Sequence, residues 1–213
     1  MSKSGRIDAK GMVITKNIYS QEEMIKLANS VGRITRHPNG EKLAILNSSN
    51  GANSRPGTFS RNYGLSAFPF HTDTSFWGEP ARYIVMGMLN KSSCSTNYIS
   101  VDDVCDLYKG DFVREGQKSI YLIETFEGCK YTSPIFYRNG ELGFRFDPNI
   151  MEPVNNHANS FHVKLEEAIN SVEPESIEWV GNKAIIIDNW KYLHNRSAVM
   201  SEDREVLRIY LES

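Results

Sequence analysis

Between residues 118 and 211 the sequence keeps returning to short apolar runs of strand length, each closed by turn residues, and this rhythm restricts the possible folds more than any other feature. Residues 119–126, 131–137 and 141–146 read as strands. Asn139-Gly140 lies between the last two and is a strong hairpin signal, because a type I′ turn needs positive φ at both central positions. Residues 12–14, 43–46, 83–89, 184–187 and 205–211 add further strand-length runs. Helices are fewer. Ser20 and Glu23 form a capping box ahead of a helix over 21–31, whose Met24, Ile25, Leu27, Ala28 and Val31 make one apolar stripe. Ser100 opens a short helix with Val101, Val104, Leu107 and Tyr108 on one side, and residues 160–172 repeat the helical period with Phe161, Leu165, Ala168, Ile169 and Val172. Strands outnumber helices and turns separate them regularly, so the expected class is mainly β (α+β), a sandwich or barrel with a few packed helices rather than a βαβ array.

A length of 213 residues with 40% hydrophobic content suits one well-buried core, so residues 1–213 are read as a single domain. A net charge of -2 and a pI near 6.2 provide no basic stripe for a phosphate backbone, and nucleic acid is not an expected partner. No apolar run approaches the ~20 residues of a membrane span. Three cysteines (Cys94, Cys105, Cys129) have no metal-type spacing, and no apolar signal-peptide core follows the first residues. These features point to a cytoplasmic protein. The oligomeric state is left open.

Chemistry concentrates at Phe70-His71-Thr72-Asp73. In an extended segment, residues two apart share a face, so His71 and Asp73 would converge. His-x-Asp alone is weak, and a hydrogen-bonded histidine at a sheet edge explains it equally well. However, Asp73 lies among Phe70, Phe76 and Trp77, where an unpaired carboxylate is costly unless a cation answers it. A second histidine, His194, follows the apolar run at 184–187. Two histidines and one carboxylate on one face of a metal are the donor set of non-haem Fe(II) oxygenases. Just upstream of Asp73, residues 47–64 are rich in Asn, Ser, Gly and Arg, a composition suited to a lid. His37, His157 and His162 read as surface residues, Met86 and Met88 as core filler, and Asp188 as shaping the turn before His194.

Near the C-terminus Arg204, Val206, Arg208 and Tyr210 share one face of a strand, with Leu207, Ile209 and Leu211 on the other. The plainer explanation is a solvent face. If that face instead lines a cavity, fixed guanidinium forks there imply bound carboxylates.

Taken together, Phe68-Pro69-Phe70-His71-Thr72-Asp73-Thr74 with Pro80 and Thr96, then Asp188-Asn189-Trp190-x-x-Leu193-His194-x-Arg196-Ser197 and Asp203-Arg204-x-x-x-Arg208, resemble the taurine dioxygenase and clavaminate synthase-like superfamily. The resemblance implies a double-stranded β-helix, or jelly roll, and an Fe(II)- and 2-oxoglutarate-dependent dioxygenase that consumes O2. It implies that His71, Asp73 and His194 are the iron ligands, and that Arg204, helped by Thr96, binds the distal carboxylate of 2-oxoglutarate. Arg208 falls where some members hold an anionic substrate group. A carboxylate at position 73 leaves no ligand site for halide, which favours hydroxylation. Desaturation, epimerisation or ring closure use the same site, and a non-catalytic jelly-roll binding protein, a cupin-like isomerase or a zinc hydrolase are the competing classes. The expected substrate is a small polar molecule, an amino acid or natural-product intermediate, with Phe76 and Trp77 as cavity walls and Arg61 of the lid, like Arg208, available to an anionic group.

Overall fold

The computed structural model describes residues 12–37, 40–125, 128–200 and 204–212. The chain begins with β1 (Met12–Lys16), α1 (Gln21–Val31), β2 (Ile34–Thr35), β3 (Ala44–Asn47), α2 (Phe59–Tyr63), β4 (Tyr83–Met88) and β5 (Thr96–Ser100). It continues through α3 (Val101–Leu107), α4 (Phe112–Lys118), β6 (Tyr121–Thr125), β7 (Gly128–Thr132), β8 (Ile135–Arg138), β9 (Glu141–Phe144) and β10 (Met151–Pro153). The last elements are α5 (Asn156–Ser171), β11 (Glu175–Ile177), β12 (Lys183–Asp188), β13 (Tyr192–Arg196) and β14 (Glu205–Leu211). Every strand pairing is antiparallel.

A six-stranded sheet runs β1-β12-β4-β14-β2, with β3 also on β14, and faces a three-stranded sheet, β11-β5-β13. Strand alternation decides the layering. From β14, Val206 and Tyr210 join Met86, Met88, Ile185 and Ile187 in a core shared with Tyr98 and Tyr192 of the smaller sheet. The opposite set, Leu207, Ile209 and Leu211, packs with Val85, Ala184 and Ile186 beneath α1, which buries Met24 and Ala28 completely. The large sheet is thus covered on both faces, which is why residues 184–187 read as a continuous apolar run. The architecture is the double-stranded β-helix, mainly β with flanking helices.

A third core holds α3, α4 and α5 against β6 and β9 around Phe161, which is fully buried with its ring 5.3 Å from Tyr108 and 5.4 Å from Phe112. Gly116 allows this closeness, because a Cβ there would stand 2.6 Å from Ile135 Cγ1.

The hairpin at Asn139-Gly140 forms as expected, with φ of 50° and 82° and Arg138 opposite Glu141. Other boundaries differ for identifiable reasons. The run at 131–137 is two strands, since Pro134 has no N–H to donate and Ser133 turns its hydroxyl to Gly116 O. α5 begins four residues before the expected start because Asn155 caps it, accepting from Ala158 N at 2.8 Å. α4 was not expected; its cap is Asp111, which accepts from Arg114 N at 3.0 Å. Phe126, expected to end a strand, lies outside the described residues. Of the capping box, Ser20 accepts from Glu23 N, but Glu23 reaches back to Tyr19 N at 2.7 Å instead of Ser20 N. His157 is exposed as expected, but His37 is buried, its ring against Tyr210, and His162 is half-buried in α5 beside Tyr121 and Phe146. No described helix is long and apolar enough to cross a membrane.

Truncation of Phe161 removes the ring at the centre of the helical core. Phe161→Ala is expected to destabilise the fold by about 3–5 kcal/mol, measured as a lower urea midpoint with an unchanged slope.

Candidate metal centre and its cavity

His71 pairs with His194 at the β13 edge of the small sheet. Each backbone N–H donates to the other's carbonyl, at 3.0 and 3.1 Å, and their rings lie 4.5 Å apart. His71 is the only strand-like residue of its segment. The chain then turns, with Thr74 at φ 56°, and it is this turn rather than the pleat that aims Asp73 at the histidines. Asn189 holds the turn in place: its Oδ1 accepts from Asp73 N at 3.0 Å, and its Nδ2 donates to Asp73 O and Ala81 O, both at 2.9 Å. Asp188 accepts from Trp190 N at 3.1 Å and pairs with Arg82 at 2.8 Å, so it shapes the approach to β13 as expected.

Asp73 Oδ1 lies 3.6 Å from His71 Nε2 and 4.0 Å from His194 Nε2. One donor atom from each of the three buried residues falls within 4.8 Å of the others. His71 Nδ1 is 2.9 Å from Pro69 O, and an N–H there leaves the Nε2 lone pair facing the carboxylate. Asp73 Oδ2 points elsewhere, accepting from Arg208 Nη1 at 2.9 Å and Tyr210 OH at 3.3 Å.

Burial would raise the Asp73 pKa, but Arg208 and the two histidines hold it far below the usual carboxylate range. His194 is pushed down to about 3 by burial and by its neighbour His71, and so stands as a neutral imidazole. Burial works against a charge on His71 too, yet the hydrogen bond and charge of Asp73 give a net upward shift. An ionised carboxylate beside two imidazoles, that of His194 neutral, makes a donor set that fits a divalent transition metal.

The donors open onto a cavity of about 600 Å³. Arg204, Val206, Arg208 and Tyr210 all line it, so the polar face of β14 looks inward and not to solvent. Thr96 is buried at its wall, accepting from Trp179 Nε1 at 3.0 Å. Arg204 Nε is buried without a hydrogen-bond partner among the described residues, and burial lowers the pKa of its guanidinium. Phe76 lines the cavity as expected, and Trp77 does not: it packs edge-on against Tyr210, 5.5 Å between ring centroids. Arg61 is also displaced from its expected role. Its guanidinium donates to Ala52 O at 2.7 Å and Gly51 O at 3.4 Å, bracing the 47–64 segment from within. Residues 53–60 of that segment form one wall.

Three lining residues have roles that the sequence reading did not assign. Arg196 donates to the carbonyls of Gly64 and Ser66 and stacks 3.6 Å over Phe68. Tyr210 holds Asp73. Asp147 is a second buried acid, and its setting in Phe144-Arg145-Phe146-Asp147 offered the signal that singled out Asp73, an acid among aromatics.

Solved structures of oxygenases share this fold. An asparagine oxygenase, solved with Fe(II), 2S,3S-3-hydroxyasparagine and succinate, superposes with a TM-score of 0.73 and 13% identity, over 95% of this chain and 74% of that one. PvcB from Pseudomonas aeruginosa gives 0.70 and 14% over 95% and 76%, and a taurine dioxygenase from Burkholderia xenovorans gives 0.69 and 13% over 94% and 76%. No protein-family model and no curated protein matches the sequence, so the likeness is one of fold.

Two outcomes follow. Asn189→Ala leaves buried groups of Asp73 and Ala81 unpaired and is expected to cost about 3 kcal/mol in chemical denaturation. Because a metal must displace the proton that Asp73 stabilises on His71, affinity for Co(II), followed by its visible absorption, is expected to rise with pH below the raised His71 pKa and to level off above it.

Proposed function

We propose that this chain is an Fe(II)- and 2-oxoglutarate-dependent dioxygenase, one domain over residues 1–213, that hydroxylates an unactivated C–H of a small polar molecule. The observation that carries this reading is the convergence of His71, Asp73 and His194 on a cavity that Arg204 also lines, with Arg208 bonded to the far oxygen of Asp73. The asparagine oxygenase structure, with its iron, succinate and hydroxylated amino acid, supports it.

His71, His194 and Asp73 through Oδ1 would hold the iron on one face. Fe(II) bound there with 2-oxoglutarate and O2 supplies an oxidant strong enough for an unactivated C–H and releases succinate and CO2. The chain does the rest by placement. Arg204 lines the cavity with a buried Nε that has no partner among the described residues, and its guanidinium suits the distal carboxylate of 2-oxoglutarate, with Thr96 in the same lining. Arg208 and Tyr210 hold Asp73 Oδ2, so the acid turns a single oxygen toward the histidines. Phe76, Phe68 and Ile150 keep part of the wall apolar, and residues 53–60 cover the space, which limits water near the reacting C–H. Because position 73 is a carboxylate, no protein-ligand position is vacant for halide, which favours hydroxylation. The free thiols Cys94, Cys105 and Cys129 accord with a reducing cytoplasm.

Purified protein given Fe(II), 2-oxoglutarate and O2 is expected to release succinate, stimulated by its substrate, and His71→Ala or Asp73→Ala to release none. Arg204→Ala is expected to raise the KM for 2-oxoglutarate at least tenfold, since binding common to ground and transition states is lost. An unchanged KM would remove Arg204 from cosubstrate binding.

A further inference from the structure

A second carboxylate lines the cavity, and no lysine or arginine among the described residues forms an ion pair with it. Asp147 is 6% exposed and lines the same space as the metal donors. Its position is built in. Thr72 N donates to Phe146 O at 2.7 Å and Phe146 N to Thr72 Oγ1 at 3.2 Å, which sets residue 147 beside the turn that carries Asp73. Asn149 N donates to Asp147 Oδ1 at 2.9 Å, and Ile150 N and Met151 N donate to its carbonyl. These bonds account for one carboxylate oxygen as a turn former. The other, Oδ2, has only the Ser75 hydroxyl at 3.4 Å, beyond the usual range of an O–H···O bond.

No lysine or arginine among the described residues pairs with Asp147. The guanidinium nearest in sequence, Arg145, is turned away and donates to the carbonyls of Ser75, Trp77 and Gly78. The contrast with Asp73 is direct: one buried acid is surrounded by two histidines, an arginine and a tyrosine, and the other is left with two neutral donors. Burial lifts the Asp147 carboxyl to about 6, with the Asp73 charge adding to the rise and His71 opposing it. A buried charge without a partner is costly, and the open space it borders is the cavity.

We infer that Asp147 anchors a positively charged N–H group, an ammonium or guanidinium, of the molecule that is oxidised, which restricts the substrate to amine-bearing compounds such as free amino acids. The inference rests on the oxygenase reading for the word substrate, and on the cavity alone for the binding of a cation. The contact would be a charge-assisted hydrogen bond to Oδ2 of a buried acid, where a substrate lacking the charge leaves that acid unpaired. It would also fix one end of the molecule beside the His71–Asp73 turn, leaving a carbon a few bonds away as the one held over the metal face.

The test uses matched pairs on the wild-type protein: amino acids and simple alkylamines, each with its N-acetyl derivative, which keeps the carbon skeleton and loses the charge. Binding is measured anaerobically by calorimetry on protein holding Fe(II) and 2-oxoglutarate, and succinate release is measured in air. At least one free amine is expected to bind, with its acetylated partner at least tenfold weaker, and Asp147→Asn is expected to reduce that ratio toward one. A thermal melt serves as the folding control for the variant. Equal binding of both members of every pair, no binding by any amine, or a folded Asp147→Asn protein with undiminished selectivity would overturn the inference. Amine-selective binding without succinate from any compound would support Asp147 as a cation anchor and count against the oxygenase reading. Succinate release that ignores charge would do the reverse.

Discussion

A carboxylate buried among aromatic rings persists only where other groups answer its charge, and the centre of this molecule is arranged around meeting that condition at Asp73. Its two oxygens are treated differently. Oδ2 is tied to Arg208 and Tyr210 from β14, while Oδ1 is turned toward the Nε2 atoms of His71 and His194. Its backbone is clamped on both N–H and C=O by one amide, that of Asn189. Three separate parts of the chain, the turn after His71, the loop before β13 and the last strand, therefore have to be in register before the acid is stable where it stands. The contacts that aim the metal donors thus span the loops and the sheet that carry them.

β14 shows how the same strand serves both. Its odd residues seal the sheet beneath α1, and its even residues give the cavity Arg208 and Tyr210, with Arg204 just ahead of the strand. A slip of one residue would turn Leu207 and Ile209 into the cavity and Arg208 into the apolar layer under α1, which is far costlier than losing one ladder bond. The register is thus held by charge as well as by apolar burial, and Arg204 and Arg208 reach their places because Val206 and Leu207 have no alternative.

Much of this was legible in the residues. Period-2 alternation marked β14 to its observed ends, Asn139-Gly140 marked the hairpin, and the acid among aromatics marked Asp73. What escaped the sequence reading was information carried by distant neighbours. His37 looks like a loop histidine until the last strand brings Tyr210 against it. Trp77 looks like a cavity wall until Tyr210 takes the position between it and the open space, and Arg61 looks free until the carbonyls of Gly51 and Ala52 turn toward it. The convergence of His71 and Asp73 was expected from an extended strand, and it arises instead from a turn that needs positive φ at Thr74 and the Asn189 clamp from 116 residues away. Local pattern identifies which residues carry chemistry, while their aim depends on hydrogen bonds that no local window contains.

The two buried acids of the cavity, Asp73 and Asp147, differ in what answers their charge. Asp73 and Asp147 are buried to the same degree, 7% and 6% exposed, and they line one cavity. The fold gives Asp73 an arginine, a tyrosine and two imidazoles, and holds its carboxyl ionised without help from any ligand. Asp147 receives a backbone amide and a long hydroxyl contact, and its carboxyl is raised instead. Burial alone therefore does not distinguish them; the number of positive groups within reach does. The guanidinium nearest in sequence, Arg145, donates instead to the carbonyls of Ser75, Trp77 and Gly78, in the loop that carries the chain from Asp73 to β4. Arg145 thus ties together the loop that follows the donor turn and forms no ion pair with Asp147, two residues along.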